Sequence, residues 1–303
     1  MDYKRPRSEI RESTISALFD KVRRKRHNKY LSSVTLDKLR RFSGATISFD
    51  FPVVALIGAN GSGKTTILNA CACVCSTSIH KKVFQASQIG DGSMEGWRIA
   101  YELLDRSLDP DPIQGELEYR DGAWQNSTSA KRSTSLLGLM RTLPLSENPY
   151  FQIRKILTKK NEKKAGKNWV RSEELSGAIV DRTKSEGERI LGKSLAGYKC
   201  FEVTVNSHKP VPLHVLEPKA RSDGKVDWRL GQAIAAQAPT HTTKQTIFVG
   251  QNELDTYSEF NFGAGESSVL RIIHEIESVD VCSLVLIEEI ENGLSPNRGE
   301  AAG

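Results

Sequence analysis

Residues 58–65 read GANGSGKT and fit G-x-x-x-x-G-K-[ST] at every fixed position. Gly58, Gly61 and Gly63 let the backbone bend until its N–H groups converge on phosphate oxygens. Ala59, Asn60 and Ser62 complete that cradle, and Thr66 follows it. Lys64 brings a cation toward the β- and γ-phosphates, and Thr65 offers a hydroxyl to Mg2+. The flanks agree with this chemistry. FPVVALI predicts a short buried strand, and TTILNACACV predicts a helix whose N-terminus adds partial positive charge. A glycine-rich turn that binds nothing has no need of strand, loop and helix in this order.

A second stretch, CSLVLIEEIENGLSP at 282–296, completes the chemistry. Leu284, Val285, Leu286 and Ile287 form a continuous apolar run, the pattern of a strand covered on both faces in a parallel sheet. Ligands of open α/β sheets bind at the carboxyl ends of strands, where Glu288 and Glu289 stand. Glu288 is placed to hold Mg2+, directly or through water. Glu289 is placed to orient and deprotonate an attacking water. The blander reading, a solvated acidic turn, loses ground beside a complete phosphate loop. Cys71, Cys73 and Cys75 stand at i and i+2 of a helix, which face different ways. They read as small core residues and not as a metal site.

Ahead of the acid run lies EFNFGAGESSVLRIIHEIE. Val269, Leu270, Ile272, Ile273 and Ile276 have the spacing of an amphipathic helix, with Ser267 or Ser268 as its cap. Gly263, Ala264, Gly265 and Glu266 precede it and make a second anion-binding surface. One triphosphate does not need two such surfaces. A dimer does, when each copy's second surface closes on its partner's nucleotide.

Phosphate loop, glycine signature and acid-tipped strand, in that order, resemble the ABC-type ATPases. The likeness is to the SMC, RecF and OLD branch more than to transporters, whose signature is closer to LSGGQ. The opening LSSVTLDKLRRFSGATISFDF is similar to the strand and NFRGF-like turn of that branch; Arg40 and Phe42 match, and Leu39 replaces the first aromatic. LIEEIENGLSP resembles LIDEPENGLHP, with Glu288 for the Asp and Ser295 for the His. The resemblance covers about residues 30–100 and 245–297.

It implies an α/β fold: an ABC-type P-loop NTPase sheet flanked by helices, binding ATP and Mg2+. It implies a head-to-tail dimer in which Gly263 to Glu266 of one copy close on Gly58 to Thr66, Glu288 and Glu289 of the other. Arg40 is expected near the phosphates. In KKVFQASQIGDG, Gln85 or Gln88 is expected to touch Mg2+ and the water, against the blander reading of a surface-loop glutamine. The expected partner is an effector such as a nuclease, as in the compact ATPases of Septu- or retron-associated anti-phage systems. Such an ATPase also carries a switch histidine after the acid strand. All six histidines precede it here, and a crossover to another strand needs about a dozen residues. The C-terminal end is therefore expected to be truncated, which puts hydrolysis in question.

The expected organisation is a basic helix at 1–29, the ATPase domain at 30–100 and 245–303, and a mainly helical arm or lid at 101–244. Within the arm, GELEYRDGAW predicts a hairpin with an Asp-Gly turn. SEELSGAIVDRTKSEGERILGKSLAGY predicts a helix broken near Gly187, and KCFEVTVN a strand. Basic clusters at 21–29 and 154–171, the second with Trp169 for stacking on a base, suit nucleic acid phosphates. A net charge of +6 and a pI near 9.0 favour the same kind of partner. There is no apolar signal core or membrane-length run, and five cysteines make no disulfide framework. A soluble, cytoplasmic protein is expected. The reading that gathers most of these features is a dimeric Mg-ATP clamp that gates nucleic acid or a partner nuclease. The alternatives are a non-hydrolysing ATP-binding scaffold or a DNA-repair ATPase; a transporter subunit and a monomeric kinase fit less well.

Overall fold

The computed structural model describes residues 10–76, 79–85, 92–128, 132–138, 141, 169–208, 216–220, 226–230, 240–251 and 255–291. The chain divides into two compact units, Met1–Gly138 with Ser278–Ile290, and Leu139–Glu277 with Glu291–Gly303.

The first unit holds α1 (Glu12–Arg23), β1 (Lys29–Asp37), β2 (Ala45–Ser48), α2 (Lys64–Cys75) and the single turn α3 (His80–Val83). It continues with β3 (Arg98–Asp105), β4 (Ile113–Arg120), β5 (Ala123–Asn126) and β6 (Thr134–Leu137). Five strands form an antiparallel sheet in the order β2-β1-β3-β4-β5. β6 pairs in parallel with the last strand, β13 (Leu284–Ile287). A register shift in β1 between Leu31 and Ser33 lets Leu31, Val34 and Leu36 all turn inward. The expected hairpin forms as β4–β5, with Asp121 and Gly122 both at positive φ (54° and 75°), as its tight turn requires.

Helix α2 occupies the core through its C-terminal half, where every residue from Ala70 to Cys75 is apolar. Ala70 to Cys75 are all buried, and the helix packs against β1, β3, β6 and β13. Burial pushes the Cys71 thiol up to about 12 and the Cys75 thiol to about 11, so both stay protonated and apolar. The cysteines are core residues, as expected.

Residues 53–57 depart from expectation. They form no strand, and Val53 and Ile57 are 78% and 94% exposed. An apolar crevice of about 110 Å3 separates Val54 and Leu56 from Leu284 to Leu286. A parallel strand is held by its neighbours, and across that gap the segment has no ladder to join.

The second unit holds β7 (Trp169–Leu175), α4 (Ala178–Leu191), β8 (Lys199–His208), β9 (Leu216–Ala220), β10 (Val226–Leu230), β11 (Thr240–Gln251), β12 (Thr256–Ser258) and α5 (Ala264–Ser278). An antiparallel sheet runs β12-β11-β8-β7, and β9 pairs with β10 separately. Three expectations are corrected here. Between phosphate loop and signature turn the described residues are mainly strand and not mainly helix, because KCFEVTVNSH and THTTKQTIFVGQ find each other along a long ladder. Residues 172–175 belong to β7, and the helix starts only after Gly177. That helix is unbroken at Gly187. A Cβ there would come within 2.7 Å of Leu195 and 3.0 Å of Leu270, so this glycine serves close packing on α5.

Candidate functional site

The phosphate loop leads directly into α2, with Gly63 at φ 100° as the residue before its first turn. A side chain at Gly63 would be strained there and would also meet the Phe42 ring at 2.5 Å. Lys64 folds back over the loop, its Nζ donating to the carbonyls of Gly58 (2.8 Å) and Ala59 (3.2 Å). Ser62 N–H donates to the Ala59 carbonyl at 3.1 Å. Gly58, Ala59, Asn60, Gly61 and Thr65 are exposed, whereas Thr66 is buried in α2. The loop's donors thus lie at the surface, engaged with the loop's own carbonyls, which a phosphate can replace.

The acid strand ends beside this loop. Thr65 Oγ1 donates to Glu288 Oε1 at 2.5 Å, across 223 residues of sequence. β13 reaches this position because Arg132 holds its start. The guanidinium donates from Nε to the Cys282 carbonyl (2.6 Å) and from Nη2 to the Ser283 carbonyl (3.0 Å). The backbone N–H of Arg132 donates to the Cys75 carbonyl at the end of α2 (3.1 Å). Burial lowers the Arg132 pKa, and Cys75, Cys282 and Tyr30 oppose that shift. Cys282 and Glu289 bracket the strand, each at positive φ (71° and 51°). A non-glycine residue held in that region is uncommon and concentrates at functional sites. Glu289 stands half-buried one residue beyond Glu288.

Hydroxyl and carboxylate oxygens side by side at a helix N-terminus suit Mg2+, which takes few protein ligands and keeps water or phosphate oxygens for the rest. No group of three or more His, Cys, Asp or Glu side chains that could cage a metal occurs among the described residues. Thr65 and Glu288 are therefore the fitting pair. Arg40, at φ 53°, reaches the Thr66 hydroxyl at 3.4 Å and lies over the Phe84 ring at 5.6 Å. Gln85, the residue after Phe84, is exposed. Gln88 and the arm at 154–168 lie outside the described residues.

Gly263, Ala264, Gly265 and Glu266 belong to the second unit. The helix begins at Ala264, so Gly263 precedes it as expected, whereas Ala264, Gly265 and Glu266 form its first turn. Ser267 and Ser268 are inside the helix and buried, and neither caps it. The Ser267 hydroxyl instead donates to Glu259 at 2.5 Å. Glu259, with no exposed surface, also accepts from Arg271 Nε (2.5 Å) and the Phe248 N–H (3.1 Å). The Glu266 carboxylate accepts from the Tyr198 hydroxyl (2.6 Å) and from Lys193 (2.8 Å). Tyr198 is raised well above the usual phenol pKa, by burial first and then by its bonds to Glu266 and Tyr257. Sequence reasoning missed Glu259 and Arg132. Neither sits in a recognisable spacing, and each is explained only by what folds around it.

Sheet, loop and helix order make this an α/β phosphate-loop protein with its acid strand beside the loop. Residues 53–300 match the family described as "AAA domain, putative AbiEii toxin, Type IV TA system", and the chain belongs to that family. ATP is accordingly the nucleotide of its loop. No curated protein is recognisably similar to the chain. Among solved structures, the recombination mediator protein RecF-ATP of the RecFOR pathway is similar at 13% identity and a TM-score of 0.44, over 90% of this chain and 88% of that one. The RecF-ATPrS structure is similar at 12% identity and a TM-score of 0.41, over 88% and 87%. No helix among the described residues is long and apolar enough to cross a membrane.

Proposed function

We propose that the chain is an ABC-type ATPase that closes as a head-to-tail dimer and gates nucleic acid binding or a partner nuclease in anti-phage defence. The observation that supports this reading is the Thr65–Glu288 contact, a hydroxyl of the phosphate loop beside a carboxylate of the acid strand at one helix N-terminus. The loop N–H groups and Lys64 bind the phosphates, and Thr65 and Glu288 hold Mg2+. The bound ion neutralises charge on the phosphate oxygens. Glu289 orients water and takes its proton. The N–H groups of Gly263 to Gly265 close on the nucleotide of the second copy. Tyr198 and Lys193 both meet Glu266 at Oε1 and hold that side chain beside the turn.

A specific observation supports the nucleic acid part. At the end of α1, Lys25 pairs with Glu102 and Lys29 with Asp105, whereas Lys21, Arg23 and Arg26 make no ion pair among the described residues. Three uncompensated, exposed cations within six residues suit a phosphate backbone. The test is ATP turnover against protein concentration, with Lys64→Ala and Glu289→Gln as controls. Turnover should rise more steeply than linearly and fall about a hundredfold or more in Glu289→Gln. A linear dependence would rule out the composite site. No turnover, with ATP still bound by Glu289→Gln, would leave a non-hydrolysing scaffold.

A further inference from the structure

The turn between β1 and β2 presses three successive side chains against the phosphate loop. Leu39 is fully buried and bridges to Phe42, and Lys38 and Arg40 both take positive φ (49° and 53°), so the turn is tight. Arg40 reaches Thr66, and Phe42 packs on Gly63. Between them, Arg41 Nη1 donates to the Gly61 carbonyl at 2.6 Å. In the NFRGF-like turn that this segment resembles, position 41 is glycine. The arginine is a feature of this chain, and its guanidinium ends on the loop backbone.

We propose that Arg41 is a positioning residue for the phosphate loop. By holding the Gly61 carbonyl on the side of the turn, it fixes the peptide between Gly61 and Ser62, and with it the direction of the loop's N–H groups, before a nucleotide arrives. A charged donor on a carbonyl is stronger than a neutral one, though exposure weakens it here. The inference rests on the loop binding a nucleotide, but not on hydrolysis or dimerisation. Because Arg41 acts on the backbone shared by all phosphates, it should not distinguish a triphosphate from a diphosphate.

The experiment is titration of ATP and of ADP into wild type, Arg41→Ala and Arg41→Lys, with the melting temperature of each nucleotide-free protein measured alongside. Arg41→Ala should weaken both nucleotides by about tenfold and to the same degree. Arg41→Lys should recover part of the loss, since an ammonium can reach one carbonyl without the guanidinium's planar fork. The exposed position predicts unchanged melting. Equal affinity in all three proteins overturns the inference. So does a loss confined to ATP, which would make Arg41 a γ-phosphate ligand, or a matching fall in melting temperature, which would make it a stability residue. If wild type binds neither nucleotide, the reading of the loop itself fails.

Discussion

The two glycine turns of this chain are held in different ways. At 58–63 the polar groups bond to one another, to Lys64 and to Arg41, at the surface. At 263–266 the turn is the start of a helix braced from behind. Glu259, completely buried, ties Ser267 and Arg271 of that helix to Phe248 of β11, and Glu266 is bound by Tyr198 and Lys193. The first turn is held by exchangeable bonds at the surface, from Lys64, Arg41 and its own backbone. The second is braced by buried groups. If the proposed two-copy site forms, a turn braced in this way loses little freedom on closing.

Breaking the brace should have the largest effect. Glu259→Ala removes a buried carboxylate from the half-buried Arg271 guanidinium and from the Ser267 and Phe248 donors, and should cost about 3 kcal/mol of stability in denaturant unfolding. ATP binding at the loop should survive at temperatures where the protein stays folded; its loss would mean that the two turns are not independent. Next comes Lys64→Ala, which should weaken ATP by roughly a hundredfold in equilibrium titration without lowering stability. A drop in stability would show that the Lys64 bonds to Gly58 and Ala59 hold the fold as well as await a ligand. Gly187→Ala should cost about 2 kcal/mol by forcing α4 away from Leu195 and Leu270, and a neutral result would mean that α5 can shift.

The smallest effect is one of pH. His274 lies against Phe248 and near Thr183, and burial lowers its pKa below 6.5. Glu275 opposes that shift and Arg271 adds to it. The folded state therefore keeps His274 neutral at a pH where the unfolded chain already binds a proton. Stability should fall as pH drops below about 6.5 and level off below the folded pKa. His274→Phe should flatten that slope in unfolding curves taken between pH 7 and 5. The braced turn is thus expected to be the acid-sensitive one of the two.

What the sequence disclosed was local. The phosphate loop, the acid-tipped strand, the Asp-Gly hairpin and the buried cysteines each carry their signal in neighbouring residues, and each stands where it was read. What it concealed depends on partners far along the chain. VVALI has every strand-forming residue but no ladder to join. SEEL reads as helix until β8 pairs with it. Gly187 looks like a break until Leu270 is found against it. Arg132 and Glu259 are ordinary charged residues in sequence, and only folding turns them into the clamps of the acid strand and of the signature helix.

The thiols of α2 have a practical side. Cys71, Cys73, Cys75 and Cys200 are buried, and their raised pKa values leave almost no thiolate at neutral pH. Cys282 alone is partly open to solvent, two residues ahead of the strand that leads into Glu288. A maleimide dye added to the folded protein should label that position selectively. The native chain thus offers a single-colour reporter of what happens at the acid strand, with no engineered cysteine required.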